Sequence, residues 1–173
     1  MGKVTLGLSA ILAKDEELKA ASDAFKEDGY TAYGLTYEDS CNMSQEDGET
    51  QEFFAEEEDE AIDDITKPGG TTFNFSLMDP TLDSLKRLFG GEIANKIWGY
   101  PDVVAEVEAS VIIKPRKGLM FHISRGKVKA KFNGQFSKKG LMLLDVSVKV
   151  RKPNTTGVKR IYVANYEPNG EQQ

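Results

Sequence analysis

Side chains able to do chemistry are sparse and scattered in this chain. His122 is the only histidine and stands between Phe121 and Ile123 on an expected strand. No carboxylate or nucleophile lies beside it in sequence, so a structural histidine is expected instead of a catalytic base. Cys41 is the only cysteine, which excludes an intrachain disulfide and a cysteine-based metal cluster and fits a reducing compartment. It shares parity with Tyr37 and Met43, the setting of a small buried hydrophobe. The run Glu56-Glu57-Glu58-Asp59-Glu60, extended by Asp63 and Asp64, offers oxygen ligands to a hard cation. No segment has the D-x-[DN]-x-[DN]-G spacing of a calcium loop, however. Gly69-Gly70 and Gly90-Gly91 form neither GxGxxG nor a P-loop, and the second pair follows an expected helix instead of opening one. With no triad, metal set or cofactor loop, the expectation is a non-enzymatic protein with no catalytic residue, metal or cofactor.

The charge, by contrast, is strongly patterned. From Asp15 to Asp64 carboxylates outnumber Lys and Arg by roughly nine to one, whereas from Lys114 to Arg160 the only acid is Asp145. A chain with two such faces is suited to binding copies of itself. Arg125, Lys127, Lys129 and Lys131 alternate, which puts all four on one face of a strand. Phe121, Ile123, Val128 and Phe132 do not keep the parity that a nucleic-acid stacking platform would need. An acidic partner is the better match, and the chain itself supplies one. The net charge of −6 also argues against a dedicated nucleic-acid binder.

At 173 residues the chain is read as a single domain, 1–173, able to bury a core without staples. Met1 to Ala13 lacks the long apolar region of a signal peptide, and no window approaches the roughly 20 apolar residues that span a bilayer, so a soluble protein without membrane insertion is expected. Within it, 1–28 forms an N-terminal arm and helix, with Val4 to Leu12 as a short strand or arm and Leu18, Ala21 and Phe25 at helical spacing. The segment 29–58 alternates apolar and polar residues and contains an Asp47-Gly48 turn, which predicts a long hairpin. The acidic segment 59–70 is too repulsive for a packed element and is expected as a solvated loop closed by Lys67-Pro68-Gly69-Gly70. Phe73, Phe75 and Leu77 alternate with Thr72, Asn74 and Ser76, which predicts a strand with one buried face.

Asp79-Pro80 then precedes a helical pattern, Leu82, Leu85, Leu88 and Phe89. Asp79 is expected as N-cap and Pro80 at the first helical position, with Gly90-Gly91 as terminator. Val103 to Ile113, Leu119 to Phe132, Leu141 to Arg151 and Ile161 to Tyr166 read as antiparallel strands. They are separated by Lys114-Pro115-Arg116-Lys117-Gly118, by Ser137-Lys138-Lys139-Gly140 and by Pro153 to Gly157. A parity change at Leu144-Asp145 predicts a bulge. The remaining 167–173 is a tail.

Asp28-Gly29-Tyr30-Thr31-Ala32-Tyr33-Gly34-Leu35 entering a polar hairpin, the strand-helix unit Thr71 to Gly91, and the run of strands that follows resemble the major tail tube proteins of long-tailed bacteriophages over roughly Gly29 to Arg151. The tube protein of type VI secretion systems is the nearest alternative, and a monomeric β-sandwich binding module is the alternative of another class. The resemblance implies a mainly β fold: an antiparallel β-sandwich or small β-barrel with a flanking α-helix and a long protruding β-hairpin. It implies six-membered rings stacked into a tube that DNA crosses during ejection. Other tail proteins, such as the tape measure and terminator, are implied partners. The implied location is the virion tail, with the host cytoplasm during assembly. In that frame Glu38, Ser40, Asn42, Glu52 and Glu56 are expected to face the channel, and Glu57, Glu58, Asp59 and Glu60 to meet Lys114, Arg116, Lys117, Lys138 and Lys139 of a neighbouring subunit.

Overall fold

The computed structural model describes residues 4–57, 60–166 and 168. Alternating apolar residues and β-branched runs give ten strands among them: β1 (Leu6–Lys14), β2 (Asn42–Gln45), β3 (Glu49–Phe54), β4 (Ala61–Lys67), β5 (Thr71–Leu77), β6 (Ile93–Ala94), β7 (Ile97–Trp98), β8 (Val107–Gly134), β9 (Met142–Val150) and β10 (Ile161–Tyr166). The α-helix α1 (Leu82–Phe89) lies between β5 and β6. The protein is mainly β, a curled antiparallel sheet with one flanking helix among the described residues. The main sheet runs β1-β8-β9-β5-β2, with β10 beside β8.

The run β8 doubles back on itself. Arg125 Nη2 lies 2.7 Å from Glu108 Oε1, and a Cβ added to Gly126 would sit 3.5 Å from the Ala109 carbonyl, although an extended chain advances about 3.3 Å per residue. The reversal falls where Arg116 and Lys117 are exposed and Gly118 has φ +106°. The expected Lys114 to Gly118 separator is therefore a tight turn inside one strand run. The first arm pairs with β1, and the second pairs with β10 over 118–123 and with β9 over 126–134.

The sheet's two ends are drawn together by the segment after Tyr30. Thr31 and Ala13 exchange backbone hydrogen bonds at 2.9 and 3.0 Å, Tyr37 N–H donates to Ser76 O, and Met78 N–H donates to Leu35 O. The segment thus touches β1 at one end and β5 at the other, with Tyr33 buried between them. It is not the strand its alternation predicts. A turn at Tyr37–Ser40, with Asp39 at φ +56°, interrupts it, and Leu35 is 63% exposed.

Phe73, Phe75, Leu77, Val111, Leu144 and Val148 fill the core, and β5 behaves as its alternation predicts, with one face buried. Each such side chain contributes about 1.5–3 kcal/mol by burial. The other face of β8 is buried too, through Ser110, Ile112, His122 and Ser124. Its cover is the segment expected to be a helix. Only Ala21–Asp23 forms a short 3-10 turn there, because its backbone bonds to β8 instead: Leu18 N–H to Ser124 O, Ser110 N–H to Glu16 O, and Phe25 N–H to His122 Nδ1 at 3.0 Å.

The helix is capped two residues later in the chain than expected. Thr81 is the N-cap, its Oγ1 accepting from Ser84 N–H at 3.2 Å. Asp79 is drawn away to accept from Leu35 N–H. Gly90, at φ +81°, ends α1 as expected. Register between β9 and its two neighbours is unbroken, so the predicted bulge at Leu144-Asp145 is absent; Leu144, Val146 and Val148 simply share the buried face.

Candidate functional site

The hairpin exists, but it is displaced along the chain. β2 pairs with β5 from Asn42↔Asn74 to Gln45↔Thr71, and β3 pairs with β4 from Glu49↔Lys67 to Phe54↔Ala61. Together they make one long hairpin with arms 42–54 and 61–77, whose outer part, β3–β4, is a ribbon. Asp47-Gly48 does not reverse the chain; it belongs to a kink where 46–48 faces 68–70, held by Glu46 N–H donating to Gly70 O at 2.9 Å. Glycine is required here, since a Cβ on Gly69 would overlap the Glu46 carbonyl and one on Gly48 would press on Lys67 O.

Beyond the kink, every described residue of β3 and β4 is exposed. This corrects the expected acidic loop: Ala61–Lys67 is a strand, because Ile62, Ile65 and Thr66 favour extended backbone and its carboxylates are solvated on both faces. Thr50 Oγ1 and Thr66 Oγ1 meet at 3.1 Å on one face. Glu52 stands opposite Asp64, a like-charge pair that weakens the ribbon. Lys67 is the only cation from Gln45 to Lys67. Even so, Phe54 and Ile62 are 59% and 63% exposed, and Phe53 and Ile65 are also exposed. A lone two-stranded ribbon is marginally stable in water, and large apolar side chains on it mark a surface that something covers.

The five residues expected to face a channel follow the chain from the turn before β2 out past the end of β3, in three settings. Glu38 is exposed in the turn before β2. The Ser40 hydroxyl is engaged, donating to Tyr37 O at 2.6 Å and accepting from Ser76 N–H at 3.1 Å. Asn42 is exposed and accepts from Asn74 Nδ2. Glu52 lies on β3, and Glu56 beyond it, both exposed. Of the residues expected at inter-subunit contacts, Glu57 and Glu60 are exposed between β3 and β4, while Glu58 and Asp59 lie outside the described residues. Lys114 is on β8 and forms an ion pair with Glu27 of its own chain. Arg116 and Lys117 form the exposed β8 turn, and Lys138 and Lys139 the exposed connection from β8 to β9.

Much of the sorted charge is matched within the chain. Glu108 takes two bonds from Arg125, at 2.7 and 2.9 Å, and one from Arg151 at 3.3 Å; Glu106 pairs with Lys127. The Arg125 hydrogen bond holds the Glu108 carboxyl below its ordinary range, and Lys127 does the same for Glu106. These two acids precede the basic stretch by a few residues, and only the fold-back of β8 brings them to it. Lys129 and Lys131 instead border an open groove of about 780 Å3. At its floor Asp145 accepts from Ser76 Oγ at 2.6 Å and from Asn133 Nδ2 at 2.8 Å.

Register separates the two charged extremities. The ribbon leaves the sheet where Thr72 faces Lys149, and Lys138-Lys139 lies at the opposite end, beyond Gly134↔Met142. That far end gathers aromatic groups that lie dispersed along the sequence. Phe89 stacks on Phe132 at 5.4 Å and lies 5.3 Å from Tyr100 and 5.7 Å from Trp98, while Trp98 Nε1 donates to Gly90 O. The small β6–β7 hairpin positions Trp98 through Asn95 and Lys96, both at positive φ. Phe136 is 93% exposed beside Lys138, and Leu141 is exposed as well.

Among the described residues no group of three or more His, Cys, Asp or Glu side chains could hold a metal ion, and no helix is long and apolar enough to cross a membrane. His122 is fully buried, as expected of a structural histidine, and burial pushes its pKa down to about 4. Burial also pushes the Cys41 thiol up. Compared with family models and with curated proteins, the chain matches none.

Proposed function

We propose that this chain is the tube subunit of a phage or prophage tail, assembling as stacked six-membered rings around a channel that DNA crosses. The observation that carries the reading is the ribbon: an element exposed on both faces, studded with apolar side chains and held out from a curled sheet by a glycine-dependent kink. Such an element has little use in a monomer, because its unpaired edges invite another chain. Ring closure pairs those edges, and heterologous contacts extend the rings into an open filament. Exposed carboxylates from Glu38 to Glu52 would repel DNA phosphate, keeping a channel non-adhesive.

Electron microscopy of concentrated purified protein, with a solution mass, tests this reading. Hollow tubes or six-membered rings support it. A strictly monomeric species under every condition favours a monomeric binding module. Tubes whose growth requires no phage component leave the secretion-tube alternative to be separated by whether DNA passes.

A further inference from the structure

Two surfaces of this molecule are complementary and cannot meet within one copy. The ribbon tip carries Phe53, Phe54 and Ile62 among Glu56, Glu57 and Glu60, all exposed. The opposite end of the β8–β9–β5 sheet carries Phe132, Phe136 and Leu141, exposed, with Lys138 and Lys139. Each patch joins large apolar side chains to charge of one sign, and the signs are opposite. Neither Lys138 nor Lys139 has an ion-pair partner among the described residues. Three other basic groups are engaged, Lys114 by Glu27 and Arg125 and Lys127 by Glu108 and Glu106, while Lys129 and Lys131 border the groove and not this end. Arg116 and Lys117 lie at the far end of the second β8 arm from Lys138, on the side where the ribbon leaves.

We infer that the ribbon tip of one copy docks on the Phe136–Lys139 end of a second copy. This deepens the tube reading and rests on it for the ring context; it reassigns Glu56 from the channel to the contact. Donor and acceptor lie at opposite ends of one sheet, so copies joined end to end are head-to-tail and leave a free ribbon at one end of the row and a free acceptor at the other. Apolar side chains supply the burial, while the carboxylate and ammonium groups fix which end is accepted and exclude ribbon-to-ribbon pairing by like-charge repulsion.

Reciprocal charge reversal tests the contact. A loop variant, K138E with K139E, and a ribbon variant, E56K with E57K, change exposed side chains only, so each should keep the wild-type unfolding midpoint. Each variant alone should assemble at least about tenfold more slowly than wild type by light scattering at low salt. Mixed in equal amounts they should recover to within about threefold, because each then offers the other an opposite charge. A mixture no faster than its components overturns the inference. Phe136→Ala is the second arm: it should slow assembly equally at low and high salt, and wild-type rates at both would also overturn it. If the mixture recovers but micrographs show solid filaments, the docking stands and the tube reading falls. If wild type forms hollow tubes and the mixture does not recover, the docking alone falls.

Discussion

The backbone N–H of Phe25 donates to Nδ1 of His122 across 97 residues of chain, at 3.0 Å. The ring's remaining proton is therefore on Nε2, 3.1 Å from Tyr30 Oη, which lies 2.6 Å from Ser110 Oγ. A neutral, fully buried imidazole thus pins the 15–30 segment onto β8.

This arrangement predicts an acid-sensitive stability. Folded His122 titrates at about 4, below its ordinary 6.5, so between those values the unfolded chain binds more protons. Its contribution is complete above pH 6.5 and declines as the pH falls towards 4, by on the order of 3 kcal/mol. Urea unfolding at pH 7.5 and pH 5 should show the decline, and His122→Gln should flatten it while lowering stability at pH 7.5. An equal pH dependence in the variant would contradict the assignment.

Tyr33 Oη is buried without a hydrogen-bond partner among the described residues, and Arg87 lies 4.3 Å over the ring. Burial pushes the hydroxyl's pKa up, out of the range of any physiological titration. Tyr33→Phe removes the unpaired group while keeping the ring, so it should be neutral or stabilise by up to about 1 kcal/mol. Calorimetry that shows a loss of more than that would mean the hydroxyl has a partner.

Glu108→Gln should destabilise by about 1 kcal/mol, because Arg125 loses a two-bond carboxylate partner and Arg151 loses a charge. Since the folded pKa of Glu108 is lowered, its stabilisation is present above the ordinary carboxylate value and fades as pH falls through the folded one. The difference between wild type and variant should accordingly shrink in acid, as chemical denaturation at pH 7 and pH 3 would show.

Gly69→Ala places a methyl group on the Glu46 carbonyl, yet the β3–β4 ribbon adds no buried side chain to the core. Ribbon amides should lose hydrogen-exchange protection while those of β5 and β9 keep theirs, and assembly should fail. Loss of protection in β9 would show that ribbon and core unfold together.

The sequence was most legible where the determinants are local. Phe73, Phe75 and Leu77 announce β5 by alternation, and Gly90 marks the end of α1. It was least legible where a distant chain segment competes for the same backbone groups. Leu18 N–H belongs to Ser124 O, so helical spacing at 15–26 yields no helix; Asp79 serves Leu35, so Thr81 caps in its place. The alternation and the Asp47-Gly48 signal predict a hairpin, but the chain reverses beyond Phe54, and the acidic run, too repulsive for a packed element, still supplies the exposed strand β4. Charges solvated on both faces pair well enough. The aromatic end is not legible in the sequence, because Phe89, Trp98, Tyr100 and Phe132 are dispersed and only α1 and the β6–β7 hairpin gather them.

Pairing between β1 and the first arm of β8 joins residues about a hundred positions apart, and β5 pairs with β9 across some seventy. During synthesis the sheet cannot close until most of the chain has left the ribosome, since such distant pairings form slowly. The ribbon emerges before the 135–141 connection that would receive it. On the proposed contact a nascent chain would carry its plug well before its socket, and growth by addition would wait on completed molecules.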